Sequence, residues 1–383
     1  MRSKCQLFLF FPLAVALLAP VHADGEMDEY FSPHYLSARA KFLAAAEAAG
    51  AKLENYRNPH PGAQGEALFT DIAKFNLGGA QTVLVLGSGT HGVEGFAGSA
   101  IQVGLLREGI AEELPDGVGL LFYHALNPYG FSHLRRFNED NVDLNRNFVD
   151  HSKPYPVNED YDELAWLIEP ASLSAWENLK ARLGLAWYRL TMGGRWLQSG
   201  ISRGQYSHPK GIFFGGTSEA WSNQVLQKIV ARHLASASRV ILVDIHTGLG
   251  EYGAAEAITE ILPETPRHQW MQECWTTPVT NPRTGDAVSP PVVGPLKRGF
   301  TAMLSNAEVI AVSLEFGTYP PAKVLWALRA ENHVHHHGGK EHPDARVIKE
   351  SLRKAFYPQQ GDWRESVWRQ GSLLVRQTLA CLR

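Results

Sequence analysis

Thr82-Val83-Leu84-Val85-Leu86-Gly87-Ser88-Gly89-Thr90-His91-Gly92-Val93-Glu94-Gly95 reads as a buried strand running into a glycine-rich turn. Residues 82–86 are apolar and rich in β-branched side chains, and the glycines that follow break the run. The same pattern recurs at residues 118–125, 240–245 and 309–314. Around and between these strands lie stretches with helical spacing, at residues 33–49, 98–107, 172–191, 218–235 and 351–357. Strands alternating with helices predict an α/β domain around a mixed, mostly parallel central sheet. No internal repeat and no Pro/Gly/Ser linker divides the chain.

The composition supports one large domain. The chain has 383 residues, 44% of them hydrophobic and 20% charged. Gly 35 and Pro 22 are too few for a low-complexity chain. Lys+Arg 36 against Asp+Glu 39 gives a net charge of -3 without long runs of one sign, which speaks against nucleic acid as a partner. At the start, Arg2 and Lys4 precede an apolar run over residues 7–19 and then Val21-His22-Ala23. That order reads as a signal peptide over residues 1–23, with an exported domain, periplasmic or secreted, over residues 24–383 and no membrane association after its removal. Cys274 and Cys381 then form one possible pair, and sequence alone leaves open whether they meet.

Residues 151–216 fit the alternation least well and read as a helical insertion beside the sheet. Trp166, Trp176, Trp187 and Trp196 fall in it and are expected to serve as core.

Candidate chemistry sits at the strand ends. His91 and Glu94 lie three residues apart in the first turn, and zinc accepts imidazole nitrogen and carboxylate oxygen. Val243-Asp244-Ile245-His246-Thr247-Gly248 places a histidine at the end of the third strand, where open α/β sheets bind ligands. A histidine there is equally well satisfied by backbone groups. Ser313-Leu314-Glu315-Phe316 sets a carboxylate in an apolar stretch, paired structurally or tuned for proton transfer. Arg135-Arg136-Phe137-Asn138-Glu139-Asp140-Asn141-Val142-Asp143-Leu144-Asn145-Arg146 is dense in groups that suit an anionic substrate, or a solvated loop held by Asn and Asp turns.

Together, in residue type and order, His91 with Glu94, Arg136, Asp143 with Asn145 and Arg146, His246, and Glu315 resemble the motifs of the zinc carboxypeptidase family. The chain looks closest to a bacterial branch described only as a domain of unknown function, sharing stretches like His91 to Gly98, Gly204-Gln205-Tyr206 with Gly215-Gly216, and Glu315 to Thr318. The resemblance implies a three-layer α/β/α sandwich and one zinc ion held by His91, Glu94 and His246. It implies Glu315 as general base, Arg136 or its neighbour Arg135 on the oxyanion, and Asn145 and Arg146 on a substrate carboxylate. Asp143 would orient His91. The family's Asn-Pro-Asp-Gly is Asn127-Pro128-Tyr129-Gly130 here, and Tyr252, the one tyrosine between His246 and Glu315, stands too early for the family's mobile tyrosine.

Three functions follow as expectations. They are a metallopeptidase acting on small peptides, a deacylase of acylated amino acids similar to aspartoacylase and succinylglutamate desuccinylase, and a non-catalytic binding protein that keeps the pocket. His333, His335, His336 and His337 form a second cluster, expected as an exposed loop near the mouth.

Overall fold

The computed structural model describes residues 24–383. The signal-peptide reading of residues 1–23 therefore lies outside the described residues. Eight strands form one mixed sheet: β1 (Lys52–Pro61), β2 (Ala67–Phe75), β3 (Thr82–Gly87), β4 (Val118–His124), β5 (Arg239–Tyr252), β6 (Ala255–Thr259), β7 (Val279–Thr280) and β8 (Glu308–Gly317). Their spatial order is β1-β2-β4-β3-β5-β8-β6-β7. The central strands β4, β3, β5 and β8 run parallel, β1 and β2 extend one side antiparallel, and β6 joins β8 antiparallel.

Continuous apolar runs form the sheet's middle because both faces are covered. Side chains alternate across the sheet. Leu84, Leu86, Val243 and Val312 point into a core shared with the helices Tyr35–Ala48, Gly95–Arg107 and Gly361–Ala380. Val83, Val85, Leu242 and Val309 point the other way, toward Trp221–His233 and Leu296–Met303. The result is helix, sheet, helix in three layers. A third core joins Tyr161, Leu164 and Ile201 of the 151–216 segment to Val324, Leu328 and Phe356.

Four readings change. The third and fourth strands run past their expected ends, because β5 and β8 stay paired through His246↔Glu315 to Gly248↔Gly317. His246 and Glu315 thus stand within strands, on neighbouring strands at one register position. Trp166, Trp176 and Trp187 are not core but exposed, while Trp196 is half-buried. The histidine tract is no loop. His333, His335 and His336 form the last turn of the helix Pro321–His336, and His333 is buried with Nδ1 2.9 Å from the Pro170 carbonyl.

Cys274 and Cys381 form a disulfide with Cα atoms 5.9 Å apart at a sequence separation of 107. It ties the helix Pro266–Cys274 to the chain just after Gly361–Ala380. Closing a loop of that length restricts the unfolded chain, so the expected contribution is about 2–4 kcal/mol. The check is the urea midpoint of Cys274→Ser/Cys381→Ser against the oxidised protein. Coincident midpoints would show that the bridge adds nothing.

Candidate metal centre and active site

The turn after β3 carries His91 and Glu94 because Gly92 lets it approach the helix Pro128–Ser132. A Cβ on Gly92 would stand 2.0 Å from the Gly130 carbonyl carbon, so no other residue fits. Asn127 caps that helix by accepting from Gly130 N–H at 2.8 Å, so the Asn-Pro-Tyr-Gly departure preserves the turn.

His91, Glu94 and His246 are buried, and each offers one donor atom within 4.8 Å of the others. His91 Nδ1 is 3.0 Å from Glu94 Oε1, and His246 Nδ1 is 3.2 Å from Glu94 Oε2 and 3.2 Å from His91 Nδ1. The far nitrogens are each held by a carboxylate. His91 Nε2 lies 3.0 Å from Asp143 Oδ1, and His246 Nε2 lies 2.7 Å from Asp244 Oδ2. Asp244 is itself fixed by Thr90 Oγ1 at 2.9 Å and Tyr123 OH at 3.1 Å. Carboxylates behind the imidazoles, with both Nδ1 atoms turned inward, suit a divalent cation bound by nitrogen and oxygen.

The charges agree. Burial would raise the Glu94 carboxyl, but His91 and Arg136 hold it well below the usual range. Burial opposes a charge on His246, yet Asp244 and Glu94 lift it to about 10. A field that favours a proton there favours any cation. Among the described residues this is the only cluster of histidine, cysteine and acidic groups that converges in this way, and the histidine tract does not.

Arg136 reaches Glu94 Oε1 at 2.7 Å and Asp143 Oδ2 at 3.0 Å while lining the cavity. Arg135 turns away. It is buried against Glu331 Oε1 at 2.9 Å and Asn141 Oδ1 at 2.7 Å, which makes it part of the packing and leaves Arg136 as the one of the two that lines the cavity. Glu315 accepts from Leu249 N–H at 2.9 Å, and burial together with the Glu94 charge pushes its carboxyl up to about 7.

A cavity of about 700 Å³ opens onto His91, Arg136, His246 and Glu315. Its polar wall includes Asn145, Arg146, Arg182, Arg189 and Lys297, and its apolar wall Leu185, Leu197, Val324 and Trp326. Arg146 is partly committed: Nε and Nη2 donate to Ser202 O at 3.1 and 2.5 Å, and Nη1 donates to Asn145 O at 2.7 Å. The Asn145 side-chain oxygen accepts from Leu296 N–H at 2.8 Å.

Sequence reasoning missed three residues here. Asp244 stood in the quoted motif, two positions before His246, where a strand places both side chains on one face. Phe213 adopts φ 58 and sets its ring 5.3 Å from the Arg136 guanidinium and 5.6 Å from that of Arg146. Lys297 is buried at the cavity, its ammonium 3.1 Å from the Ile258 carbonyl, and burial pushes it down to about 8. Neither of these two carries a local signal, since only the folded chain brings them to the site. Tyr252 bonds Asp362 at 3.2 Å and does not line the cavity.

A comparison with curated proteins found no match. Among solved structures, carboxypeptidase A from Helicoverpa armigera is 14% identical, with 87% of this chain and 76% of that chain covered and a TM-score of 0.45. A metallo-carboxypeptidase from Burkholderia cenocepacia is 12% identical over 92% of this chain and 70% of that one, with a TM-score of 0.45. The succinylglutamate desuccinylase from Chromobacterium violaceum is 18% identical over 86% and 76%, with a TM-score of 0.37. With TM-scores this low they stand as likenesses and decide neither substrate nor mechanism. A family model reaches further, matching residues 31–370 and with them every residue of the cavity. By that match the chain belongs to the family described as "Protein of unknown function (DUF2817)".

Proposed function

We propose that the protein is an exported, zinc-dependent hydrolase of amide bonds, acting as a metallocarboxypeptidase-like peptidase on small peptides near a free carboxylate. The observation that carries this reading is the inward convergence of His91, Glu94 and His246, with His91, His246 and Glu315 of the adjacent strand lining one cavity. His91, Glu94 and His246 would hold the zinc, which would supply Lewis acidity. Glu315, fixed by Leu249 N–H, takes the proton of the attacking water and gives it to the leaving nitrogen. Arg136, which lines the cavity, would stabilise the oxygen on which charge develops. With zinc bound, Asp143 and Asp244 would accept from the outer Nε2 of the two imidazoles and leave each Nδ1 to the ion.

Asn145, Arg146 and Lys297 form the polar end that receives a substrate carboxylate. Lys297 matters most, because a buried ammonium bonded to one carbonyl has donors to spare and gains from an anion.

The test is a mass-spectrometric screen of zinc-loaded protein against pooled peptides and N-acyl amino acids. Amino acids released from peptide C-termini support the peptidase reading. Free acyl groups replace it with the deacylase, and turnover of neither pool overturns both. On the substrate found, amidating the carboxylate is expected to lower kcat/KM by about tenfold to a hundredfold, the worth of a charge-assisted hydrogen bond. Lys297→Met should narrow that gap. Equal rates on acid and amide in the unmodified protein would remove the carboxylate from recognition.

A further inference from the structure

The helix Ala175–Thr191 has two working faces and a packed one. Ala181 is buried, and a Cβ on Gly184 would meet Leu167 at 2.5 Å, so this arc sits on the helix Glu159–Ile168. Arg182, Leu185, Ala186 and Arg189 line the cavity. The remaining arc, roughly 80° wide at 100° per residue, carries Trp176, Leu179, Leu183, Trp187 and Leu190. All five are exposed, Trp176 by 64% and Leu190 by 82%, and Trp166 and Met192 are exposed as well. So regular an apolar stripe left in water marks a contact surface.

Its flanks identify the partner. Lys180 lies on one side of the stripe and Arg182 and Arg189 on the other, with Arg195 following in the next helix. The nearest carboxylate, Glu177, is 2.7 Å from Lys180, and Glu163 interacts with Tyr188 on the packed side. Glu177 balances Lys180, so the uncompensated cations beside the stripe are Arg182, Arg189 and Arg195. An anionic surface complements them.

We propose that this face docks the protein on a bilayer of anionic phospholipid, with the helix in the plane of the interface. Tryptophan rings settle at the headgroup level, leucines enter the acyl boundary, and the flanking cations meet the phosphates. No helix among the described residues is long and apolar enough to cross a membrane, so this contact lies on the bilayer. Arg182 and Arg189 are shared with the cavity wall, so docking holds the cavity mouth beside the lipid surface. The inference does not depend on the hydrolase reading, and it replaces the expectation of no membrane contact.

Tryptophan emission tests it on the full chain. Residues 1–23 contain no tryptophan, so quenching that is lost in the Trp176→Phe/Trp187→Phe protein reports this face and not their insertion. Vesicles of phosphatidylcholine with a quarter phosphatidylglycerol, carrying brominated acyl chains, should quench emission relative to unbrominated vesicles. Trp176→Phe/Trp187→Phe should lose most of that quenching. Phosphatidylcholine alone, or Lys180→Glu/Arg189→Glu, should reduce it several-fold. Unquenched emission, or equal quenching in the Trp176→Phe/Trp187→Phe protein, overturns the proposal. So does a dimer in sedimentation that Leu183→Glu dissolves while lipid leaves emission unchanged, which would give the face to a second copy.

Discussion

His91→Ala/His246→Ala is expected to abolish zinc binding, taking the protein from about one zinc per chain to background in elemental analysis of untagged material. The two imidazoles supply two of three donors, and Glu94 alone cannot hold the ion in competition with water. The double variant also leaves Asp143 and Asp244 without their imidazole partners, so circular dichroism must accompany the metal analysis. Unchanged zinc in a folded variant would exclude this centre and move attention to His333–His337. The structure speaks against that alternative. The His333 and His337 Nδ1 atoms are each 2.9 Å from a backbone carbonyl, and among the described residues no carboxylate converges with them.

Glu315→Gln should keep zinc and fold and lose about 10²–10⁴-fold in kcat, the usual worth of a general base. The amide keeps the shape and can still accept from Leu249 N–H, but it cannot take the proton of the attacking water. The sign of the pH dependence follows. The base works only as a carboxylate, so activity falls as pH drops through its pKa. Burial and Glu94 push that value up to about 7, and a cation bound beside it draws the value down, so the acid limb belongs below about 7. Activity within about twofold of the unmodified enzyme, or an unchanged acid limb, would take the role from Glu315.

The chain announces its centre more clearly than its borders. β3, β4, β5 and β8 are buried on both faces and read as continuous apolar runs. β1 went unread because its Lys52–Pro61 stretch is mostly exposed and polar, held by pairing with β2 rather than by burial. The helix Gly361–Ala380 was hidden by Gly361 and Gly371, which look like breakers. Gly371 is in fact a packing residue, where a Cβ would meet Ile101 at 2.6 Å. The tryptophans misled for a different reason. The helix Ala175–Thr191 has apolar residues on more than one face, and periodicity cannot say which face meets the core. The residues brought together at the candidate centre were legible because their types and order survive in one dimension. Asp244, Phe213 and Lys297 join the site only through folding.

The shared register of His246 and Glu315 makes the sheet a ruler. Their backbones are one interstrand step apart, about 4.8 Å, whatever the surrounding loops do. A one-residue slip of β8 would turn Glu315 to the opposite face, so insertions there are barred while insertions in the cavity's outer wall are not. The outer wall, from Arg182 to Ile201, hangs on a separate core and can be rebuilt without moving the ruler. Relatives with this sheet can therefore diverge widely in what they admit while keeping one spacing between the two side chains.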